Sequence, residues 1–208
     1  MRIGRQKVEK DAGAESHRAH RRELWPFMWT ALGLLVWAVL LFNPLRACAE
    51  ADDESEYRVK LAFLYNFAQF VQWPADAFRD PAAPLTICVA GQDPFQGEIE
   101  QGLRGRAAGG HLVEIRKLKR DENPRGCHMI FVRAGERKLA GRLLADLRGL
   151  NTLTVGETKG FAGLGGVINL VVEENKLRFE INLGAARQTR LKLSSKLLAL
   201  ATIVKTRP

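Results

Sequence analysis

Only four histidines and three cysteines occur in the 208 residues, which leaves little to hold a metal or act as a thiol. His17 and His20 lie in a basic N-terminal stretch, so His111 and His128 are the two that remain. Neither has a cysteine or carboxylate at metal-ligand spacing, and a zinc centre needs three or four such donors together. His128 follows Cys127 directly, but neighbours along a strand point to opposite faces, which rules out an imidazole-activated thiol there. No G-x-S-x-G elbow is present, and Ser194 and Ser195 read as helix caps. The glycine-rich Gly163-Leu164-Gly165-Gly166 leads into a strand-like run and not a helix, so no helix N-terminus is aimed at a phosphate. Lysine and arginine are nowhere clustered and interleaved with aromatics, as a nucleic-acid groove requires. These absences point to a chain that is not an enzyme, uses no cofactor or metal, and has no nucleic-acid partner.

Charge is missing in one place above all. Residues 24–42, LWPFMWTALGLLVWAVLLF, carry none over nineteen positions, after a segment that contains Arg18, Arg21 and Arg22. Positive charge before an apolar run keeps the N-terminus in the cytoplasm and sends the rest of the chain across the membrane. Ala47 and Ala49 set small residues at the minus-three and minus-one positions of a cut after Ala49, the pattern a signal peptidase needs. Two other readings stay open. The run nearly spans a hydrocarbon core of about 30 Å and can be retained as an anchor, or Leu45-Arg46-Ala47-Cys48 can be a lipoprotein signal with Cys48 acylated. The expected division is 1–49, a basic segment with signal peptide or anchor, and 50–208, the exported domain. Of the 32 basic and 23 acidic residues, 8 and 4 precede Glu50, leaving 24 and 19, a mild +5. Beyond Cys48 only Cys88 and Cys127 remain; in an oxidising compartment an even pair reads as a bridge, either a structural staple or a redox sensor.

The exported part alternates. Glu54 to Val71 lacks glycine and proline and predicts a helix that Trp73-Pro74 stops. It holds much of FLYNFAQFVQWP (63–74), in which five of twelve positions are aromatic although the chain has sixteen aromatics in all. Val59, Ala62, Phe63, Phe67 and Phe70 form one stripe and Leu61, Leu64, Tyr65, Ala68 and Val71 a second. The second stripe is expected to be covered by the C-terminal helix or by another copy of the chain, while Asn66 sits among aromatics without an evident partner. Strands are predicted at 85–91, 111–118, 127–133 and 152–157, and helices from Asp93 to Leu103 and Gly135 to Leu147. Residues 167–183 predict a hairpin with Leu177, Phe179, Ile181 and Leu183 on one face and Arg178, Glu180 and Asn182 on the other. A short helix at 185–189 comes next, then a closing helix capped at Ser194 or Ser195, with Leu197, Leu200, Ala201 and Val204 as its buried stripe. Alternation of this kind implies a single layered α/β domain with a mixed, partly parallel sheet flanked by helices.

EYRVKLAFLYNFAQFVQWP, LTICVAGQDPF, CHMIFV, LTVGE and GFAGLGGVINLVVEENKLRFEINLGAARQTRLKLSSKLLALA, in this order, resemble the YfiR-like family of exported bacterial proteins over roughly residues 55–204. The resemblance implies a periplasmic regulator without catalysis that binds the periplasmic domain of an inner-membrane diguanylate cyclase and represses it, with effects on cyclic di-GMP, biofilm formation and motility. It also implies an outer-membrane lipoprotein that sequesters the regulator and a structural disulfide between Cys88 and Cys127, while a homodimer follows only if a second copy covers the second stripe of the first helix. A second cysteine pair found in some members has no counterpart here.

For the partner-binding surface, the polar hairpin residues Arg178, Glu180 and Asn182 and the loop around Phe161 are the candidates, since exposed loops and polar strand faces are free to bind. The alternative from another class is a periplasmic small-ligand-binding protein, with the ligand at the sheet's strand ends. The third reading, a thiol-based enzyme, has the least support.

Overall fold

A computed structural model describes residues 44–205, with the backbone alone for residues 44–55. The apolar run 24–42 lies outside the described residues, as do the side chains of Ala47 and Ala49. Contacts divide the chain between Asp52 and Asp53, and every strand lies in the larger, C-terminal unit. In chain order the elements are α1 (Pro44–Phe70), β1 (Val71–Gln72), β2 (Leu85–Ala90), α2 (Glu98–Leu103), β3 (Ala107–Ala108), β4 (His111–Leu118), β5 (Met129–Val132) and α3 (Arg137–Asp146). They continue as β6 (Leu153–Gly156), β7 (Ile168–Glu173), β8 (Lys176–Asn182), α4 (Leu183–Gln188), β9 (Lys192–Leu193), α5 (Ser195–Leu200) and β10 (Thr202–Val204). No helix among the described residues is long and apolar enough to cross a membrane.

Eight strands form one curled, mixed sheet in the order β10-β8-β7-β6-β5-β2-β4-β3. Its centre, β4-β2-β5-β6-β7, is parallel throughout. Counted along the chain those five strands stand 2-1-3-4-5, a doubly wound order, so the winding reverses between β2 and β5. The central strands are buried on both faces, which is why they read as continuous apolar runs. Leu85, Ile87, Val89, Met129, Phe131, Leu153 and Val155 face a core shared with α1, whereas Cys88, Ala90, Ile130 and Val132 face a second core under α3. The α/β class and the partly parallel sheet are as the alternation implies.

Helix α1 lies against the first core, rotated from the expected stripe. Tyr57, Lys60, Leu64, Phe67 and Ala68 are buried, while Val59 is 48% exposed and Ala62 is also exposed. The sheet's curl accounts for this, because it brings neighbours up on both flanks. Phe63 and Phe67 meet Phe179 of β8 edge-on at 5.8 and 5.2 Å. On the other flank the hydroxyl of Tyr65 and the amide of Gln69 donate to the Ala107 carbonyl of β3 at 3.2 and 2.7 Å, and Leu61 packs over Gly102 of α2. The chain itself covers these flanks. Asn66 is exposed and does not lie in the core.

Several boundaries differ from the periodic reading, and helix α1 begins at Pro44, ten residues ahead of the predicted Glu54. Helix α1 stops at Phe70, because Val71 and Gln72 pair with Leu193 and Lys192 and the Phe70 carbonyl accepts from the Ser194 amide at 3.0 Å. Helix α2 starts at Glu98 because Gln96 and Gly97 are left-handed, with φ of 49° and 89°; Asp93 instead accepts from the Phe95 amide in a turn. The closing helix ends at Leu200, which is 76% exposed. Thr202-Ile203-Val204 is a β-branched run, stiff at χ1 and suited to a strand, and it adds parallel to β8 opposite Glu180, Ile181 and Asn182.

Cys88, the fourth residue of β2, is joined by a disulfide to Cys127, which lies just ahead of β5, with their Cα atoms 5.8 Å apart. A bond that closes a loop of this length stabilises by about 4 kcal/mol in the chain-entropy account. Nearby, Phe78 is stacked between His111 at 3.7 Å and His128 at 4.4 Å. The Nδ1 of His128 accepts from the Thr86 amide at 3.0 Å, which puts the ring proton on Nε2, where it donates to the Ala77 carbonyl at 3.1 Å. Burial, with a smaller push from His111, holds the His128 pKa below its ordinary 6.5 against the pull of Ala77. A depressed imidazole contributes stability that is complete above about pH 6.5 and is lost as pH falls through the folded value. Urea unfolding of the wild-type chain from pH 8 to 5 is therefore expected to show falling stability below about pH 6.5, with a flatter profile for His128→Gln. Equal slopes in the two proteins would remove His128 from the account.

Candidate functional site

In a doubly wound sheet the loops beyond the carboxyl ends of the strands separate where the winding reverses, and a crevice opens there. Here that place lies beyond β2 and β5. Gln92 enters from the loop after β2, Arg120 from the loop after β4, and Arg133, Ala134, Gly135, Glu136, Arg137 and Lys138 from the loop and helix start after β5. The crevice encloses about 500 Å³. Gly91 permits the close approach at its edge: its φ is 85°, and a Cβ would meet Leu139 at 3.1 Å and the Glu136 carboxylate at 3.2 Å.

Beneath the crevice is the buried polar centre of the domain. Glu157, the residue after β6, is 4% exposed at its side chain and Lys60 of α1 is 6% exposed. The Lys60 ammonium is paired with Glu157 Oε2 and lies 2.6 Å from Glu56 Oε1. The other oxygen, Oε1, accepts from the Tyr57 hydroxyl at 2.8 Å and from the Ala134 amide at 2.9 Å. Tyr57 in turn accepts from Arg133 Nε at 3.3 Å, and Arg133 Nη1 donates to Gln92 Oε1 at 3.1 Å. A single carboxylate thus ties α1 to the crevice wall. Burial and the Glu157 charge raise the Tyr57 pKa. For Lys60, burial lowers the pKa, but the bonds to Glu157 and Glu56 outweigh it and the net direction is up from 10.5. A raised lysine stabilises fully below its unfolded value and loses that contribution only as pH climbs through the folded one, so this pair is intact throughout neutral pH.

The residues expected to bind a partner separate into two groups. Arg178 is exposed on β8 and faces Glu173 at 3.6 Å, both side chains more than half exposed. Glu180 is half-buried and accepts from Asn169 Nδ2 at 2.9 Å. Phe161 and Asn182 correct the expectation of an open face, with exposures of 0% and 1%. The Phe161 ring closes the second core, so near Gly156 and Gly166 that a Cβ on either would come within 2.5 and 2.1 Å of it. Asn182 is consumed locally: Oδ1 caps α4 through the Ala185 amide at 3.0 Å and Nδ2 donates to the Ala162 carbonyl at 2.8 Å. Alternation places Asn182 on the polar side of the hairpin correctly, but the 162–164 turn covers that side. The Lys60–Glu157 pair is not among the residues singled out from the sequence. Its signal was present, since Lys60 falls in helical register with Tyr57, Leu64 and Phe67, and a charge on a buried stripe requires a partner. Among the described residues no group of three or more His, Cys, Asp or Glu side chains is arranged to hold a metal.

Two substitutions test these assignments. Glu157→Gln leaves the Lys60 charge in a buried site with its principal partner gone and is expected to cost about 3 kcal/mol in urea unfolding, while Lys60→Met with Glu157→Leu recovers most of the loss. Gly166→Ala drives a methyl into the Phe161 ring and should cost about 2 kcal/mol by overpacking, with partial relief from Phe161→Leu. A double variant of the ion pair no more stable than Glu157→Gln would contradict the first assignment, and an unaffected Gly166→Ala the second.

The comparison with known families agrees with this architecture. The YfiR/HmsC-like family profile matches residues 57–202, from the tyrosine that bonds Glu157 to the first residue of the last strand. No curated protein matches the chain at a significant level. A match over this much of its length shows that the chain belongs to the YfiR/HmsC-like family, whose members are regulatory proteins of the periplasm linked to diguanylate cyclase signalling.

Proposed function

We propose that the exported chain binds the periplasmic domain of an inner-membrane diguanylate cyclase and holds that enzyme inactive, without catalysing a reaction itself. Family membership over residues 57–202 is the observation that carries this reading. In it, residues 1–49 direct export and residues 50–208 form the regulatory domain, either released by cleavage after Ala49 or retained on the inner membrane by residues 24–42. An outer-membrane lipoprotein that sequesters the regulator, and a homodimer, belong to the same proposal.

A repressor of this kind works by differential affinity. To move a cyclase from 1:99 to 99:1 in favour of its inactive state it must bind that state better by about 5.5 kcal/mol. The surface proposed for this is the free end of the sheet. Arg178 and Glu180 lie on β8, next to β10 at the sheet's margin, and Leu200, two residues ahead of β10, is 76% exposed. Charge on the outermost strands near an exposed leucine is a composition suited to a protein-binding surface. Phe161 and Asn182 contribute from below, by holding the 162–164 turn against the hairpin.

Deleting the gene in a strain that expresses the neighbouring cyclase is expected to raise cyclic di-GMP severalfold, and restoring the wild-type gene to lower it again. Complementation with Arg178→Glu, Glu180→Lys should leave the level high although the variant folds, as its circular dichroism would report. An unchanged cyclic di-GMP level after deletion would defeat the repressor reading, and full complementation by the charge-reversed variant would move the docking surface elsewhere. N-terminal sequencing of the exported protein is expected to begin at Glu50.

A further inference from the structure

We infer that the crevice beyond β2 and β5 is a binding site for a small anionic solute, one that presents a phosphate or carboxylate group. Three features of the molecule converge on it. The position is the topological switch point, where sheets wound in this order open to a ligand. The volume of about 500 Å³ lies in the range of small-molecule sites. The lining carries Arg120, Arg133, Arg137 and Lys138 against one carboxylate, Glu136. Arg120 already engages that carboxylate, through Nη2 at 3.0 and 3.1 Å. Beyond that pair, the exposed Arg137 and Lys138 keep the mouth positive, and guanidinium groups suit planar or tetrahedral oxyanions because they offer paired donors.

Arg133 fixes the wall against which such a ligand would rest. Tyr57 and Gln92 hold it from two sides, so its position is set before anything enters. Arg137 and Lys138 are exposed at the mouth and supply the attraction; Arg137 is anchored to the Lys159 carbonyl at 3.4 Å. The bonds from Arg133 to Tyr57, and from the Ala134 amide to Glu157, continue into α1. Occupancy of the crevice is thereby coupled to the helix that seals the first core. The site does not depend on the cyclase reading, since a solute can bind whether or not that partner does.

The test is a titration of the purified full chain with inorganic phosphate and, separately, with citrate, at constant ionic strength, followed by amide resonances in two-dimensional NMR. A saturable response is expected at Gly91, Gln92, Gly135 and Glu136, with Tyr57 shifting in parallel. The paired substitution Arg137→Gln, Lys138→Gln should weaken the tighter anion at least tenfold at an unchanged melting temperature. Arg142→Gln, on the same helix but paired with Asp121, should bind as wild type does. The tighter of the two probes identifies the headgroup class. No saturable response to either anion, or a response equally strong in the paired variant, would overturn the inference.

Discussion

Helix α1 is apolar around most of its girth, and a helix of that kind has no single rotation about its axis that hydrophobic burial alone prefers. The Lys60–Glu157 pair removes the ambiguity. Only one rotation sets the Lys60 ammonium against the carboxylate that emerges from β6, and any other leaves a charge in the core at a cost of several kcal/mol. Exchanging such a pair for well-packed apolar residues is often neutral or favourable, so its contribution is registration more than net stability. With the rotation set, Leu64, Phe67 and Ala68 meet the sheet. Phe63 then reaches Phe179 and Tyr65 reaches Ala107. Both flanks of the helix depend on that one contact.

The same carboxylate fixes the carboxyl ends of the central strands, through the Ala134 amide after β5. The amino end of β5 is held by other means: the Cys88–Cys127 bond ties it to the middle of β2, and the His128 ring bridges the Thr86 amide and the Ala77 carbonyl. Covalent and polar constraints thus sit at the two ends of β5, with apolar side chains between them. The hairpin and β10 carry fewer constraints. Glu174 and Asn175, with φ of 51° and 58°, make the tight left-handed turn that a two-residue hairpin needs, and the β8–β10 side ends in a three-residue strand. Rigidity is concentrated at the centre and exposed apolar surface at the edge.

Much of this was legible in the sequence, and the parts that were not share a physical origin. The runs 85–91, 127–133 and 152–157 read as buried strands because both faces are covered, and continuous apolarity survives any error of register. The Ser194 cap was legible because its bond to the Leu197 amide is local. Errors arose where a distant segment decides. Nothing near Leu200 announces that β8 has an open edge to receive Thr202–Val204, and nothing near Phe161 reveals that Gly156 and Gly166 give way to its ring. Asn182 shows the limit of alternation: the period predicts which side of the strand it faces, but whether that side is solvent or a covering turn depends on residues twenty positions away.

The placement of charge obeys the same division between local and distant effects. In the sequence the exported part is mildly basic with no cluster, because Arg120, Arg133, Arg137 and Lys138 are spread over nineteen residues and two secondary-structure elements. The winding of the sheet gathers them. β4 and β5 flank β2 in the sheet, and the loops that follow them open on the same side, so cations from separate crossovers meet at one crevice. A search for basic runs is blind to such a site, since its charge density comes from topology. The buried carboxylate behind its wall, Glu157, is legible by a different route. A lysine in register with buried aromatics implies an acid somewhere in the fold, and an acidic residue that closes an apolar strand, as Glu157 closes LTVG, is the position from which a side chain can reach back over the sheet's end.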